Sequence, residues 1–389
     1  MPPLAPDVVA EMIETRRNVH RHPELAFEEH RTAGIVAARL RRLGLDVEQG
    51  VGGTGVVATM RGNGSGPALL LRAEMDALPL LELAAVPFAS EVDGVMHACG
   101  HDAHTAMLLA VAHELVRVRD QIPGMVRFLF QPAEEVGAGA ASMLAASVMD
   151  DVAFDGVLAL HMHAHIPAGV VGVCRGAAAA NVAEFEVTVT GKGGHGAFPH
   201  AAVDAVLTAA QITTALQTLV PREISALDRA VLTVGQIHAG TAFNIMPETA
   251  VLGGTIRTAT DAVAEHLARR MADLSEGIAR SMRCTTSVRH RELIPPVRND
   301  DALGALVRST ASDVAGASTA SDADPVMAGD DVALFMDRAP GCYFFVGAAH
   351  TDGRPQTPHH SPIWDMDERA MELGANVLLE ASRRFLGVR

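Results

Sequence analysis

Long apolar runs are missing from this 389-residue sequence. Its most apolar stretches, such as Ala68 to Leu71 and Met107 to Ala112, fall far short of the roughly 20 residues a helix needs to cross a bilayer, so no integral membrane protein is expected. Basic charge is also scarce: 31 Lys and Arg against 46 Asp and Glu give a formal net charge of −15. Proteins that bind nucleic acid concentrate cations to displace counterions from phosphates, and nucleic acid is therefore not an expected partner. The 4 cysteines, Cys99, Cys174, Cys284 and Cys342, are too scattered for a disulfide framework. The opening MPPLAPDVVAEM lacks a basic stretch followed by an apolar core, so no secretory signal is expected and the cytoplasm is the expected address. What is abundant is hydrophobic sequence, 49% against 20% charged, the composition of a packed globular chain. At about 150 residues per domain, two or three folding units are expected.

The fold class expected is α/β: a discontinuous domain with a mixed sheet flanked by helices, plus an inserted ferredoxin-like α+β unit. Up to about Gly156 helical and strand signals alternate. Helices are expected over Val8 to Asn18, Glu29 to Leu43 and Ala103 to Arg119, and strands over Gly55 to Met60, Ala68 to Ala73 and Val126 to Phe130. ALLLRA is apolar enough for a strand covered on both faces, and it runs straight into Glu74, Met75 and Asp76. Near Asn181 the texture changes. Strands Glu184 to Thr190, Val231 to Ile237, Thr249 to Ile256 and Thr285 to His290 interleave with helices Ala202 to Leu219 and Asp261 to Met282, a strand-helix-strand-strand-helix-strand order. In the second helix Val263, Leu267, Met271, Leu274, Ile278 and Met282 keep helical spacing, and Thr258 with Asp261 offers a capping box. The α/β texture resumes after Pro295 and Pro296 and ends in a helix from about Asp367 to Phe385. The expected division is 1–182 with 295–389 for the discontinuous domain and 183–294 for the insertion. Ala311 to Ala323, rich in small residues, is expected to be a loop.

Chemistry concentrates in four segments. HACGHDAH places His97, Cys99, His101, Asp102 and His104 together, and a turn at Gly100 brings the Cys-x-His donors to one point, the donor types preferred by zinc-like ions. QPAEE puts Glu134 and Glu135 directly after an apolar strand. Adjacent carboxylates point different ways, so Glu135 is expected to bind metal and Glu134 to act as general base. In LHMHAHIPAG the residues His161, His163 and His165 alternate, with one ligand and two surface histidines expected. TPHHSPIWDMDE offers His359 and His360, between which the segment itself does not choose. Loops that each follow an apolar strand end at a common sheet edge, and about five donors exceed the need of one tetrahedral ion. Two ions roughly 3.5 to 4 Å apart, and hence a two-metal hydrolase, are expected.

These segments, together with RHPELAFEE (Arg21 to Glu29), RAEMDALP (Arg72 to Pro79), GKGGHGAFPH (Gly191 to His200) and NIMPETAVLGGTIRT (Asn244 to Thr258), resemble in order and spacing the amidohydrolase branch of the co-catalytic metallopeptidases. That branch includes hippurate hydrolases, N-acyl-amino-acid amidohydrolases and auxin-conjugate hydrolases. The resemblance implies metal ligation by Cys99, His101, Glu135, His161 and His360, with Glu134 as base and Asp76 supporting a ligand from behind. It implies an inserted domain that dimerises and acts as a lid, His195 donating to the oxyanion of the other subunit's site, and Asn244 and Arg257 holding the substrate's amide oxygen and carboxylate. Two divalent ions per subunit are implied, zinc or manganese, with cobalt or nickel also compatible, in a homodimer or higher homo-oligomer. Glu74, His163 and Asp330 depart from the usual pattern, which bears on substrate preference and on the geometry around the metal ligands. The expected reaction is hydrolysis of an N-acyl amino acid to a carboxylic acid and a free amino acid. Alternatives are a metallo-dipeptidase or carboxypeptidase at the same site, a non-catalytic metal- or ligand-binding protein, and a Cys99 thiol nucleophile paired with His101.

Overall fold

A computed structural model describes residues 4–316 and 319–388. The chain divides into two compact units, Met1–Ala178 with Arg298–Asp324 and Asp331–Arg389, and Ala179–Val297 with Pro325–Asp330. The short Pro325–Asp330 stretch groups with the insertion, a feature that sequence texture does not indicate.

The first unit is built on an eight-stranded sheet ordered Asp46–Val51, Gly55–Arg61, Met125–Gln131, Ala68–Glu74, Gly156–Pro167, Gly341–Ala349, Val171–Val173, Ala320–Asp322. The four strands from Met125–Gln131 to Gly341–Ala349 run parallel, and antiparallel pairs flank them, so the sheet is mixed. ALLLRAE, MVRFLFQ and GCYFFVGAA are buried at every position, as parallel strands between helical layers must be. Helices Pro6–Arg21, His30–Arg42, His101–Arg117, Asp301–Ala315 and Arg369–Phe385 contribute Met12, Leu40, Leu108, Val307 and Leu378 to one apolar core with Leu69, Phe128, Leu158 and Phe344. The small-residue stretch expected to be a loop instead continues the helix to Ala315 and supplies the edge strand Ala320–Asp322; residues 317 and 318 lie outside the described ones.

In the second unit, strands Ala230–Ala239, Thr249–Thr258, Val182–Thr190 and Thr285–Ile294 form an antiparallel sheet in that order. Helices Ala205–Leu216 and Asp261–Ser281 complete the ferredoxin-like βαββαβ sequence. Phe185, Val187 and Val189 alternate inward and meet Ile212, Leu216, Leu267 and Met271. The helix expected from Ala202 starts at Ala205, because the Asp204 carboxylate caps it by accepting the Leu207 N–H. The cap of the longer helix is also displaced. Thr260, not Thr258, accepts from Val263 N–H, while the Thr258 hydroxyl is buried against Asn181 Oδ1 at 2.9 Å. Among the described residues no helix is long and apolar enough to cross a membrane.

Candidate metal centre

Parallel strands deliver their C-terminal ends to one edge, where open α/β sheets bind ligands. Ala68–Glu74 leads there into Asp76 and Met125–Gln131 into Glu134 and Glu135, and Gly156–Pro167 carries His161. Cys99 and His101 flank Gly100, whose φ of 99° is a left-handed conformation that favours glycine and opens the helix His101–Arg117.

The structure brings the five expected donors together. Cys99 Sγ lies 3.5 Å from His161 Nε2, and ligand atoms of Cys99, His101 and Glu135 lie within 4.8 Å of one another. Glu135 Oε2 is 3.3 Å from His360 Nε2, and His101 Nε2 is 3.9 Å from Glu135 Oε1 and 3.8 Å from Glu134 Oε2. His101 Nε2 and Glu135 Oε1 are buried without a hydrogen-bond partner. Buried polar atoms are rarely left so, and a thiol, imidazoles and a carboxylate facing one point suit a borderline-soft divalent cation. The residues fit metal.

Their outer partners set which atoms face inward. His161 Nδ1 donates to Met162 O at 2.7 Å and His101 Nδ1 to Asp76 O at 2.9 Å, leaving each Nε2 as the donor atom, the usual orientation of metal-binding imidazoles. Asp76 Oδ2 accepts the Glu135 N–H at 2.9 Å, so one residue fixes two candidate ligands. Burial, reinforced by the Glu135 charge, pushes the Cys99 thiol well above its ordinary value; burial likewise drives His161 well below. Burial pushes Glu135 up to about 7, with His101 opposing and Asp76 adding to the rise. A cation reverses this cost of crowding negative charge.

His104, despite lying beside His101 and His161, has no lone pair to offer: Nδ1 donates to Glu74 Oε2 and Nε2 accepts the Met162 N–H, each at 2.9 Å. His359 Nε2 accepts the Ala164 N–H, its Nδ1 is buried without a hydrogen-bond partner and its ring lies against Trp364, whereas His163 packs on Phe345 and His165 is exposed.

Sequence reasoning assigned no role to the buried ions behind the centre. Arg72 Nε donates to Gln131 at 2.8 Å, its NH2 group to Asp331 at 3.2 Å, and the Gln131 amide also donates to Asp331. A second network joins Arg16 Nε and His20 Nδ1 to Asp102 Oδ2, each at 2.8 Å, and His20 Nε2 to Glu82 at 3.1 Å, fixing the residue after His101. Arg16 and His20 precede a motif that carries the family resemblance, a signal of importance without a role.

In the inserted unit His195 pairs with Ile245, and the Gly196 N–H donates to Asn244 O at 2.9 Å, so His195 and Asn244 are neighbours. The His195 Nδ1 accepts the Ala197 N–H, and both side chains are exposed. Arg257 sits on the separate strand Thr249–Thr258, opposite Val231.

A mixed sheet with a thiol, imidazoles and a carboxylate gathered at its parallel strand ends defines a candidate metalloprotein. Residues 70–384 match the model of peptidase family M20/M25/M40, and the chain belongs to that family. It is 38% identical to the N-acetyl-L-cysteine deacetylase of Bacillus subtilis, over 97% of this chain and 88% of the relative. It is 39% identical to thermostable carboxypeptidase 2 of Saccharolobus solfataricus, over 94% and 92%. The crystal structure of a dinuclear metal-binding peptidase of the M20 family from Bacillus subtilis superposes with a TM-score of 0.87 at 30% identity, covering 98% of this chain and 99% of that one. The chain is an enzyme of a metallo-hydrolase family acting on amides or peptides.

Proposed function

We propose that the protein hydrolyses the amide bond of N-acyl amino acids, releasing a carboxylic acid and a free amino acid. The observation that carries this is the pairing of Glu134 with Glu135. Glu135 faces Cys99, His101 and His360, and the Glu134 carboxylate lies beside the same centre, 3.8 Å from His101 Nε2.

In this reading Cys99, His101, Glu135, His161 and His360 hold two divalent ions, zinc or manganese, which supply Lewis acidity and lower the pKa of water. Glu134 takes the proton of the attacking water and returns it to the leaving nitrogen, while Asp76 keeps His101 and Glu135 in place. At the other subunit's centre His195 donates to the developing oxyanion, Asn244 holds the amide oxygen, and Arg257 pairs with the substrate carboxylate through its planar fork. The catalytic domain is the first of the two compact units, and the inserted unit, Ala179–Val297 with Pro325–Asp330, makes a homodimer. Four free thiols, Cys99, Cys174, Cys284 and Cys342, suit a cytoplasmic enzyme. The deacetylase relative favours an N-acyl substrate, and the carboxypeptidase relative favours the second reading, cleavage of a peptide at the same centre.

Glu134→Gln is expected to lower kcat by about 10² to 10⁴ with metal content unchanged by elemental analysis; wild-type turnover would remove Glu134 from the mechanism. Comparing acetyl- and benzoyl-amino acids with dipeptides separates the two substrate readings: faster cleavage of dipeptides discards the N-acyl assignment.

A further inference from the structure

The turn presenting Glu134 and Glu135 contains a residue in an unusual conformation. Ala133 has φ of 53°, the left-handed region where a side chain is uncommon outside glycine, and it is completely buried. Its carbonyl closes the turn by accepting the Ala138 and Gly139 N–H groups at 3.2 and 3.0 Å. Its own N–H is taken by a carboxylate 104 positions away in sequence: Glu29 Oε1, at 2.8 Å. Glu29 is also fully buried. It precedes the helix His30–Arg42, yet its side chain makes no capping bond there. It turns inward instead, with Oε2 accepting the Thr54 hydroxyl. The same stretch is gripped again two residues later, where the Glu135 N–H meets Asp76 Oδ2. Glu134 is thus the residue between two backbone amides, each tied to a buried acid from a different part of the chain.

We propose that Glu29 is a positioning residue for Glu134: by holding the Ala133 amide it selects the left-handed turn that aims the Glu134 carboxylate. The proposal rests on the reading of Glu134 as base. The Glu29 carboxylate bonds to the Thr54 hydroxyl and the Ala133 N–H; it acts through the conformation of one alanine. A glycine at 133 reaches that conformation unaided, which makes the dependence on Glu29 separable from general stability.

The test compares Glu29→Ala, Glu29→Gln, Ala133→Gly and the Glu29→Ala/Ala133→Gly double variant in the full-length, metal-loaded chain. Glu29→Ala is expected to lower kcat by about 10- to 100-fold, the range for residues that orient metal-site groups, with KM nearly unchanged. Ala133→Gly is expected to recover at least about threefold of that loss in the Glu29→Ala background and to recover nothing in the wild type, a non-additivity that marks coupled residues. Glu29→Gln, which keeps an oxygen for the Ala133 amide, is expected to restore most of the rate. Independently of turnover, hydrogen exchange at the Ala133 amide is expected to accelerate about tenfold or more in Glu29→Ala while the central strands keep their protection. Wild-type kcat in folded Glu29→Ala, equal effects of Ala133→Gly in both backgrounds, or unchanged exchange at Ala133 would each overturn the proposal. Should Glu29→Ala not fold, Thr54→Val removes the donor that orients Glu29 and is judged by the same exchange and rescue criteria. A fully active Glu134→Gln variant would refute the base assignment, whereas the exchange measurement would still report on the Glu29 contact.

Discussion

The two units keep their interiors together by different means. The first buries Arg16, Glu29, Arg72, Glu74, Asp76, Asp102 and Asp331, each tied to a neighbour through carboxylate, guanidinium, imidazole or backbone N–H. The second, in its Ala179–Val297 segment, buries only Asn181, Thr208, Thr258 and Ser275 among its described polar side chains, around an aliphatic core. Removing charges from water costs several kcal/mol per ion, and replacing a buried pair by apolar residues is often neutral or stabilising. The difference therefore teaches where function constrains the chain. Costly ions persist around the ends of the parallel strands, beside the candidate metal centre, and are absent from the segment whose core only has to pack.

That contrast can be broken most directly at Asp102. Asp102→Ala leaves Arg16 and His20 buried without their shared acceptor and is expected to cost about 3–5 kcal/mol in urea unfolding; a loss below 1 kcal/mol would show that the network contributes nothing to stability. In the insertion, Leu267→Ala is expected to cost about 2–5 kcal/mol through lost contact and a residual cavity, and that cost should be the same at every pH from 4 to 8. The cost of His20→Gln should not. Burial pulls the His20 imidazole down, but Asp102 and Glu82 outweigh it and hold it above its ordinary value. Its contribution is then complete below the unfolded-state value of about 6.5 and is lost as pH rises through the higher folded value. Burial opposes ionisation of Asp102, yet Arg16 and His20 hold it far below the carboxylate range, so its contribution is present above about 3.9 and lost in stronger acid. The deficit of His20→Gln is expected to be largest between about pH 4 and 6.5; a flat profile would dissolve the contrast. Smallest is Thr260→Ala, expected to cost about 1 kcal/mol as the loss of one helix cap, while Thr258→Ala should leave the cap intact.

Sequence pattern exposes what is periodic and hides what is paired across space. The helix Asp261–Ser281 and the strands Ala68–Glu74 and Met125–Gln131 are legible because an apolar face or a covered strand writes itself into consecutive residues. Asp46–Val51 has no such signal: it is an outer strand with no fully buried position, and DVEQGV reads as surface. The same holds for Ala320–Asp322. Donors such as Cys99 and His101 stand out by residue type and spacing. Their supports do not. Nothing near Glu29 announces that its carboxylate meets an amide 104 residues later, nor near Arg72 that it faces Asp331, because burial of an acid is decided by segments that meet only in the folded chain. His104 shows the converse hazard: its residue type and spacing suit a ligand, yet both nitrogens are already engaged.

The strand Gly341–Ala349 lies between Gly156–Pro167 and Val171–Val173, both encoded before the insertion. During synthesis the earlier strands emerge with a gap between Gly156–Pro167 and Val171–Val173, and the four-stranded sheet of the insertion, whose strands pair only with one another, is synthesised in full before that gap is filled. The larger sheet must wait for a late segment to thread into its centre, and parallel pairing over such separations is slow and prone to association meanwhile. His360 follows that same late strand, so a nascent chain holds four of the five candidate donors well before it holds the last.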